Sequence, residues 1–223
     1  MSKPKKKVGM CAYCGATGLL TSDHIPPQNL FPKPKPSDLI TIPCCEGCRV
    51  GWSDDDEYFR LAIVSSANVS GNRQAQKVHA TLLRSLRKPT KAGFAVMVRK
   101  SLTQVDLITP AGLYIKTVGG LKIDKRRFAR VADRIIRGLF FHEKGHRVPE
   151  GYEVINQGFQ FGAHPVLEAL GTFRFARFRV VGGGIFAYSF AYADDDPDST
   201  FWLSKFYGGL EFAGMTLKPE ELR

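Results

Sequence analysis

Two cysteine pairs of C-x2-C spacing, Cys11/Cys14 and Cys45/Cys48, stand 30 residues apart near the start of this chain. Four thiolates so spaced suit the tetrahedral corners of one structural Zn²⁺, which closes a small fold around itself. The stretch from Cys11 to about Arg60 is rich in Cys, Pro and Asp and too short for a core of its own. Chains below roughly 40–60 residues rely on a metal or on disulfides. The chain has five cysteines in all, an odd number that fits a metal better than a disulfide framework. Cys44 is the surplus thiol; it could replace Cys45 as a ligand, although the x2 spacing favours Cys45.

Behind this framework the remaining sequence is that of an ordinary globular protein of 223 residues. It divides into a basic tail over residues 1–7, a zinc module over 8–66 and a larger α+β domain over 67–223. Residues 65–71, rich in Ser, Asn and Gly, form the expected linker. The net charge of +11 is uneven. Residues 61–150 hold 18 basic and 5 acidic side chains, whereas residues 151–223 hold 6 and 9. A field of that sign draws polyanions, nucleic acid first among them. No signal core follows the basic start, and the longest uncharged run, near residues 180–193, is too short for a membrane span. The expected setting is therefore cytoplasmic, without a membrane partner.

Trp52–Val64 reads as a helix, and residues 72–88 as a second that stops at Pro89, with Val78, Leu82 and Leu86 on one face. Residues 94–99, 102–108 and 113–118 are strand candidates, the last two joined by a Pro110-Ala111-Gly112 turn. Residues 125–141 carry the clearest helical pattern. Val131, Ala132, Ile135, Ile136 and Leu139 fall in one arc of roughly 140° about Phe128, and Arg126, Arg127, Arg130, Arg134 and Arg137 lie in the opposite one. Guanidinium forks suit phosphate oxygens, so this face is a candidate nucleic-acid ridge. The last third reads as antiparallel sheet. Alternation in Phe173-Arg174-Phe175 slips phase at Ala176-Arg177, which implies a β-bulge or a register change, and resumes through Phe178 and Val180. Phe186, Tyr188, Phe190 and Tyr192 form a period-two stripe that reads as sheet core more readily than as a base-stacking platform.

His142-Glu143-Lys144-Gly145-His146 matches the H-E-x-x-H pattern of zinc proteases. Gly145 interrupts it and Pro149 follows, so the helix is expected to end there and leave the two histidines without a common helical face. His164 supplies no convincing third ligand.

Between the cysteine pairs lies T-S-D-H-I-P-P, an acid and an imidazole side by side before a proline turn. Taken with C-A-Y-C-G, L-I-T-I-P-C-C-E-G-C and the helix bearing D-D-D-E-Y-F-R, it makes residues 8–63 resemble the HNH endonuclease family in its zinc-stapled form. The resemblance implies a treble-clef-like ββα-metal finger in which Cys11, Cys14, Cys45 and Cys48 hold structural zinc and a second ion, Mg²⁺ or Mn²⁺, serves catalysis. It makes His24 the general base that deprotonates the attacking water and Asp23 a ligand of the catalytic ion. The implied activity is phosphodiester hydrolysis in nucleic acid, DNA before RNA.

Two positions depart from the family pattern. Asp38 stands where Asn is common, and Arg49 stands where a His or Asn usually completes the metal site. A guanidinium cannot ligate a cation. Three alternatives follow. A ligand comes from Asp54, Asp55 or Asp56, with Asp56 the choice made here; or Arg49 contacts the scissile phosphate; or the module binds nucleic acid without cutting it. An acid from Asp54–Asp56 within ligand reach of Asp23 favours cutting, and Arg49 lying in that gap disfavours it. The sequence leaves a regulatory protein partner and the oligomeric state open.

Overall fold

The computed structural model describes residues 7–157 and 178–219. The basic start (residues 1–6), the Phe173–Phe175 alternation, the slip at Ala176-Arg177 and His164 lie outside them.

The cysteine framework forms a three-stranded antiparallel sheet, β1 (Lys7–Met10), β2 (Thr17–Ile25) and β3 (Ile40–Cys45), in that order. Chain reversal between β1 and β2 is the first cysteine turn, and β3 runs straight into the second. There a short helix, α1 (Glu46–Arg49), starts with the Cys48 N–H donating to the Cys45 sulfur at 3.4 Å. Gly51, at φ +88°, turns the chain into α2 (Trp52–Val64).

Residues 65–71 are more closely held than a linker composition suggests: they contain a single turn of 3₁₀ helix, Ala67–Val69, with Val69 buried. Asn72 then caps α3 (Arg73–Leu86) by accepting from the Gln74 and Ala75 N–H groups, and Ala75, Val78 and Leu82 face the core.

The strand expected at residues 94–99 is a helix, α4 (Ala92–Ser101). Pro89 opens a 3₁₀ turn immediately before it, and Phe94 and Val98, four residues apart, rest on the core while Val96 points outward. A spacing of four outweighed the β-branched composition. The next two strands are as expected. β4 (Leu102–Ile108) and β5 (Tyr114–Leu121) form a two-stranded hairpin, closed where the Gly112 N–H donates to the Thr109 carbonyl at 2.9 Å. Every residue of β4 is exposed.

Helix α5 (Lys125–Lys144) is the axis of the molecule. It packs against α2, the β2–β3 hairpin and strands of the C-terminal sheet. Asp124 caps its start by accepting from the Arg126 and Arg127 N–H groups, and Gly145, at φ +77°, ends it. The apolar arc is buried as its periodicity requires. Gly138 lets the hairpin sit close: a Cβ there would lie 2.5 Å from Ile25 and 3.4 Å from Ile42.

β6 (Glu153–Gln157), β7 (Arg179–Val181), β8 (Phe186–Tyr192), β9 (Thr200–Phe206) and β10 (Leu210–Leu217) form one antiparallel sheet in the order β6-β10-β9-β8-β7. The aromatic stripe of β8 is core at Phe186 and Tyr188, partly covered at Phe190 and exposed at Tyr192. Buried residues from the hairpin, α2, α3, α5 and this sheet make one contiguous cluster; Phe59 of α2 touches both Phe128 (ring centroids 4.6 Å apart) and Phe206 (5.7 Å). The architecture is the α+β arrangement expected. Among the described residues no helix is long and apolar enough to cross a membrane.

Candidate functional site: a cysteine quartet beside an acid–arginine cluster

The first cysteine turn and the β3–α1 junction bring Cys11, Cys14, Cys45 and Cys48 together, their sulfurs all within 4.8 Å of one another. The Cys14 and Cys45 sulfurs are 3.7 Å apart. Thiolates about 2.3 Å from a tetrahedral ion stand about 3.8 Å apart along each edge, so the quartet can hold a metal ion such as zinc. Among the described residues it is the only group of three or more His, Cys, Asp or Glu side chains close enough to do so. Although burial opposes it, hydrogen bonds from the Cys14, Cys45 and Tyr13 backbone draw the Cys11 thiol down to about 6, towards the thiolate that a metal needs. Cys44 stands apart. It is fully buried, burial pushes its thiol up to about 12, and its S–H donates to the Cys45 carbonyl at 3.2 Å. The fourth member of the quartet is Cys45, as the spacing favours.

Asp23 and His24 are neighbours in β2, and the pleat turns them to opposite faces. Asp23 faces α5 together with Ile25, which rests on Gly138. The Tyr13 hydroxyl donates to its Oδ2 at 2.6 Å. Burial and the Asp23 charge hold that phenol well above its ordinary range, so it stays a donor. His24 lies on the other face, opposite exposed Thr41, and makes no hydrogen bond among the described residues. Burial, Lys35 and Arg49 together hold its imidazole below the ordinary 6.5, against the pull of Asp23. Base and metal ligand, which the resemblance sets around one reacting centre, thus look away from each other.

The gap between Asp23 and the acids of α2 is filled by an arginine, and it is Arg134 instead of Arg49. Its Nη2 donates to Asp56 and its Nε lies 3.5 Å from Asp23, too long and misaligned for a hydrogen bond. Its guanidinium carbon stands 4.5 Å from the centre of the Trp52 ring, which meets Tyr13 edge-on at 5.0 Å. Burial pushes the Asp56 carboxyl up to about 6, with Arg134 opposing and the Asp23 and Asp55 charges reinforcing. One turn earlier on α5, Arg127 and Arg130 share Asp55, with Nε to carboxylate distances of 2.8 and 2.7 Å; despite burial they hold that carboxyl below its ordinary value.

These contacts bear on two expectations. The donor set around Asp23 and Asp56 does not fit Mg²⁺ or Mn²⁺ as it stands, because both carboxylates face the Arg134 guanidinium, whose positive charge occupies the place an ion would take. Arg134 is 4% exposed, so it is a buried counterion instead of part of a phosphate ridge. The reason is angular. Arg134 and Arg127 lie within roughly 60° of Val131 at the edge of the apolar arc, so the helix that covers that arc covers them too. Arg126 and Arg130 remain exposed, and Arg137 is half-exposed.

Arg49 is exposed at the end of α1, beside Thr21, Glu46 and Val50. Asp38 accepts from the Gly182 N–H through its Oδ2 at 2.9 Å and ties the β2–β3 connection to the far sheet. Asn29 holds that connection to α2, donating to the Asp56 carbonyl at 2.9 Å. Glu143 of the H-E-x-x-H match is engaged by Arg179 and the Tyr188 hydroxyl, and Gly145 ends the helix before His146. Three residues of the site were not singled out from the sequence for it: Tyr13, Trp52 and Asn29. Tyr13 inside the first C-x2-C and Trp52 at the start of an acidic helix were the available signals.

Comparison of the chain with protein-family models, with curated proteins and with solved structures finds no match.

Proposed function

We propose that this chain is a zinc-stapled nucleic-acid-binding protein with an HNH-type module, in which Arg134 takes the place of a catalytic divalent ion. The observation that carries the reading is the Arg134 guanidinium between Asp23 and Asp56. A strand acid facing a helix acid needs a cation, and the chain supplies its own. The basic excess in residues 61–150 supports a polyanionic partner, and DNA is the first candidate. Zinc is the metal that best suits four thiolates, and it would be held by Cys11, Cys14, Cys45 and Cys48 as a structural cross-link. Binding to labelled DNA is expected to weaken linearly with log salt, and a Mn²⁺ titration is expected to find no site at Asp23 and Asp56.

A second reading, phosphodiester hydrolysis with His24 as general base, has one observation in its favour. The imidazole is held below its ordinary value, so it is neutral near pH 7 and can accept a proton, with Arg49 near enough to act on it electrostatically. Incubation with supercoiled plasmid, with and without Mg²⁺ or Mn²⁺, decides between the two. Salt-dependent binding without nicking supports the first reading. Metal-dependent nicking that disappears in His24→Ala, in protein that keeps its zinc, overturns it in favour of the second.

A further inference from the structure

We infer that the cleft between the cysteine turns and α5 takes an unpaired stretch of nucleic acid, with phosphates on the α5 arginines and a base against Trp52 and Tyr13. The inference rests on the nucleic-acid reading above and specifies which form of nucleic acid this site accepts.

The cleft has a volume of about 660 Å³ and is lined by Tyr13, Trp52, Arg126, Arg130, Arg137 and Asn156, among others. It is an open depression, wide enough for a nucleotide to lie along it. Arg126, Arg130 and Arg137 lie in one stripe along α5, spanning roughly 16 Å of helix axis. Arg126 is exposed and its side chain makes no hydrogen bond or ion pair among the described residues. The Arg130 side chain is 59% exposed although it forks onto Asp55. Arg137 is paired with Asp133 four residues away, with both partly exposed. Such a pair is weak and gives way readily to a phosphate. Aromatic surface is present at the same place and its orientation is fixed, because Trp52 is held by Arg134 and Tyr13. Arginines that track a backbone beside aromatic rings are the combination that binds single strands with little regard to sequence.

Duplex is the poorer fit. A helix reads duplex by standing in a major groove about 12 Å wide. Helix α5 is packed against α2, the hairpin and strands of the C-terminal sheet, so it is not a free helix that can stand in a groove, and its exposed arginines form a stripe on the surface between those elements. A flexible strand can follow the Arg126–Arg130–Arg137 stripe and turn an unpaired base towards Trp52, which a duplex with its bases stacked and paired does not offer.

The test uses the full, zinc-loaded chain and oligothymidylate of about twelve nucleotides, within the site sizes single-strand binders show. Fluorescence anisotropy at several salt concentrations gives affinity and slope. A change in tryptophan emission on binding reports Trp52, since Trp202 also emits but is fully buried and out of reach of the ligand. The expected result is quenching on binding and a log–log salt slope that flattens by about 1.4 in the Arg126→Gln/Arg137→Gln double variant, since each single-strand phosphate contact contributes about 0.7. A slope and affinity unchanged in that variant overturn the inference. Duplex that binds and is not displaced by oligothymidylate overturns it too, while leaving the nucleic-acid reading intact. If neither form binds, both fall.

Discussion

Replacing Arg134 with methionine keeps much of the volume of the side chain and removes its charge. Asp23 and Asp56 are then left facing each other with one remaining donor, the Tyr13 hydroxyl at 2.6 Å from Asp23. Breaking a buried ion pair by deleting one partner costs about 3–5 kcal/mol. Lost guanidinium contact with Trp52 adds about 1 kcal/mol. Protonation of Asp56 limits the penalty, because burial already holds that carboxyl at about 6. Without Arg134 it rises further. Each unit of displacement is worth about 1.4 kcal/mol, but only above the pH at which Asp56 is already protonated in the parent protein. Urea unfolding of zinc-loaded protein should therefore show a loss of about 3–4 kcal/mol near pH 7.5, shrinking by about 2 kcal/mol near pH 5.5. In an Asp23→Asn/Asp56→Asn background the same substitution should cost about 1 kcal/mol or less, because no buried anion is then stranded. A loss that is the same at both pH values, or as large with both acids neutralised, would refute the claim that Arg134 acts as their counterion.

Three further outcomes follow from the geometry. Cys45→Ser should lose the metal and unfold its module, whereas Cys44→Ser should retain one zinc per chain by atomic absorption, since Cys44 lies outside the quartet; structural zinc contributes about 10–16 kcal/mol of apparent binding energy to such folds. Gly138→Ala would set a methyl 2.5 Å from Ile25, for a loss of about 1–3 kcal/mol in denaturant unfolding, part of it recovered by Ile25→Val. His24 is held below its ordinary 6.5, so the unfolded chain takes up its proton first as pH falls. The stability His24 contributes is then present above about pH 6.5 and lost as pH falls through its lower folded value, and a stability–pH profile of His24→Gln should be flatter there.

Local signals were legible wherever one interaction dominated. The C-x2-C spacing identifies the four cysteines that come together and favours Cys45 over Cys44, because the spacing is itself the geometry of the turn. The α5 arc names its buried face residue by residue, and Gly145 names its end. What was not legible depends on what lies across a gap. Nothing near Arg134 in sequence announces that residues 78 and 111 positions earlier, Asp56 and Asp23, will share its charge. Two β-branched valines made residues 94–99 look extended, and only the packing of Phe94 and Val98 onto a distant core decides for helix. The Asp23-His24 dyad reads as one unit in sequence, yet a strand separates it by its pleat.

The central position of α5 has a consequence for how the intact protein is recognised in the tube. All four cysteines of the quartet lie within the first 48 residues, but the surfaces that cover Ile25, Ile42 and Phe59 come from Phe128, Gly138 and Phe206. A nascent or truncated chain ending at Val64 therefore carries every thiolate needed to capture zinc while its apolar surfaces remain in water. Metal content and nativeness are separate quantities here, and a preparation with full zinc stoichiometry can still consist of molecules whose interior has never closed.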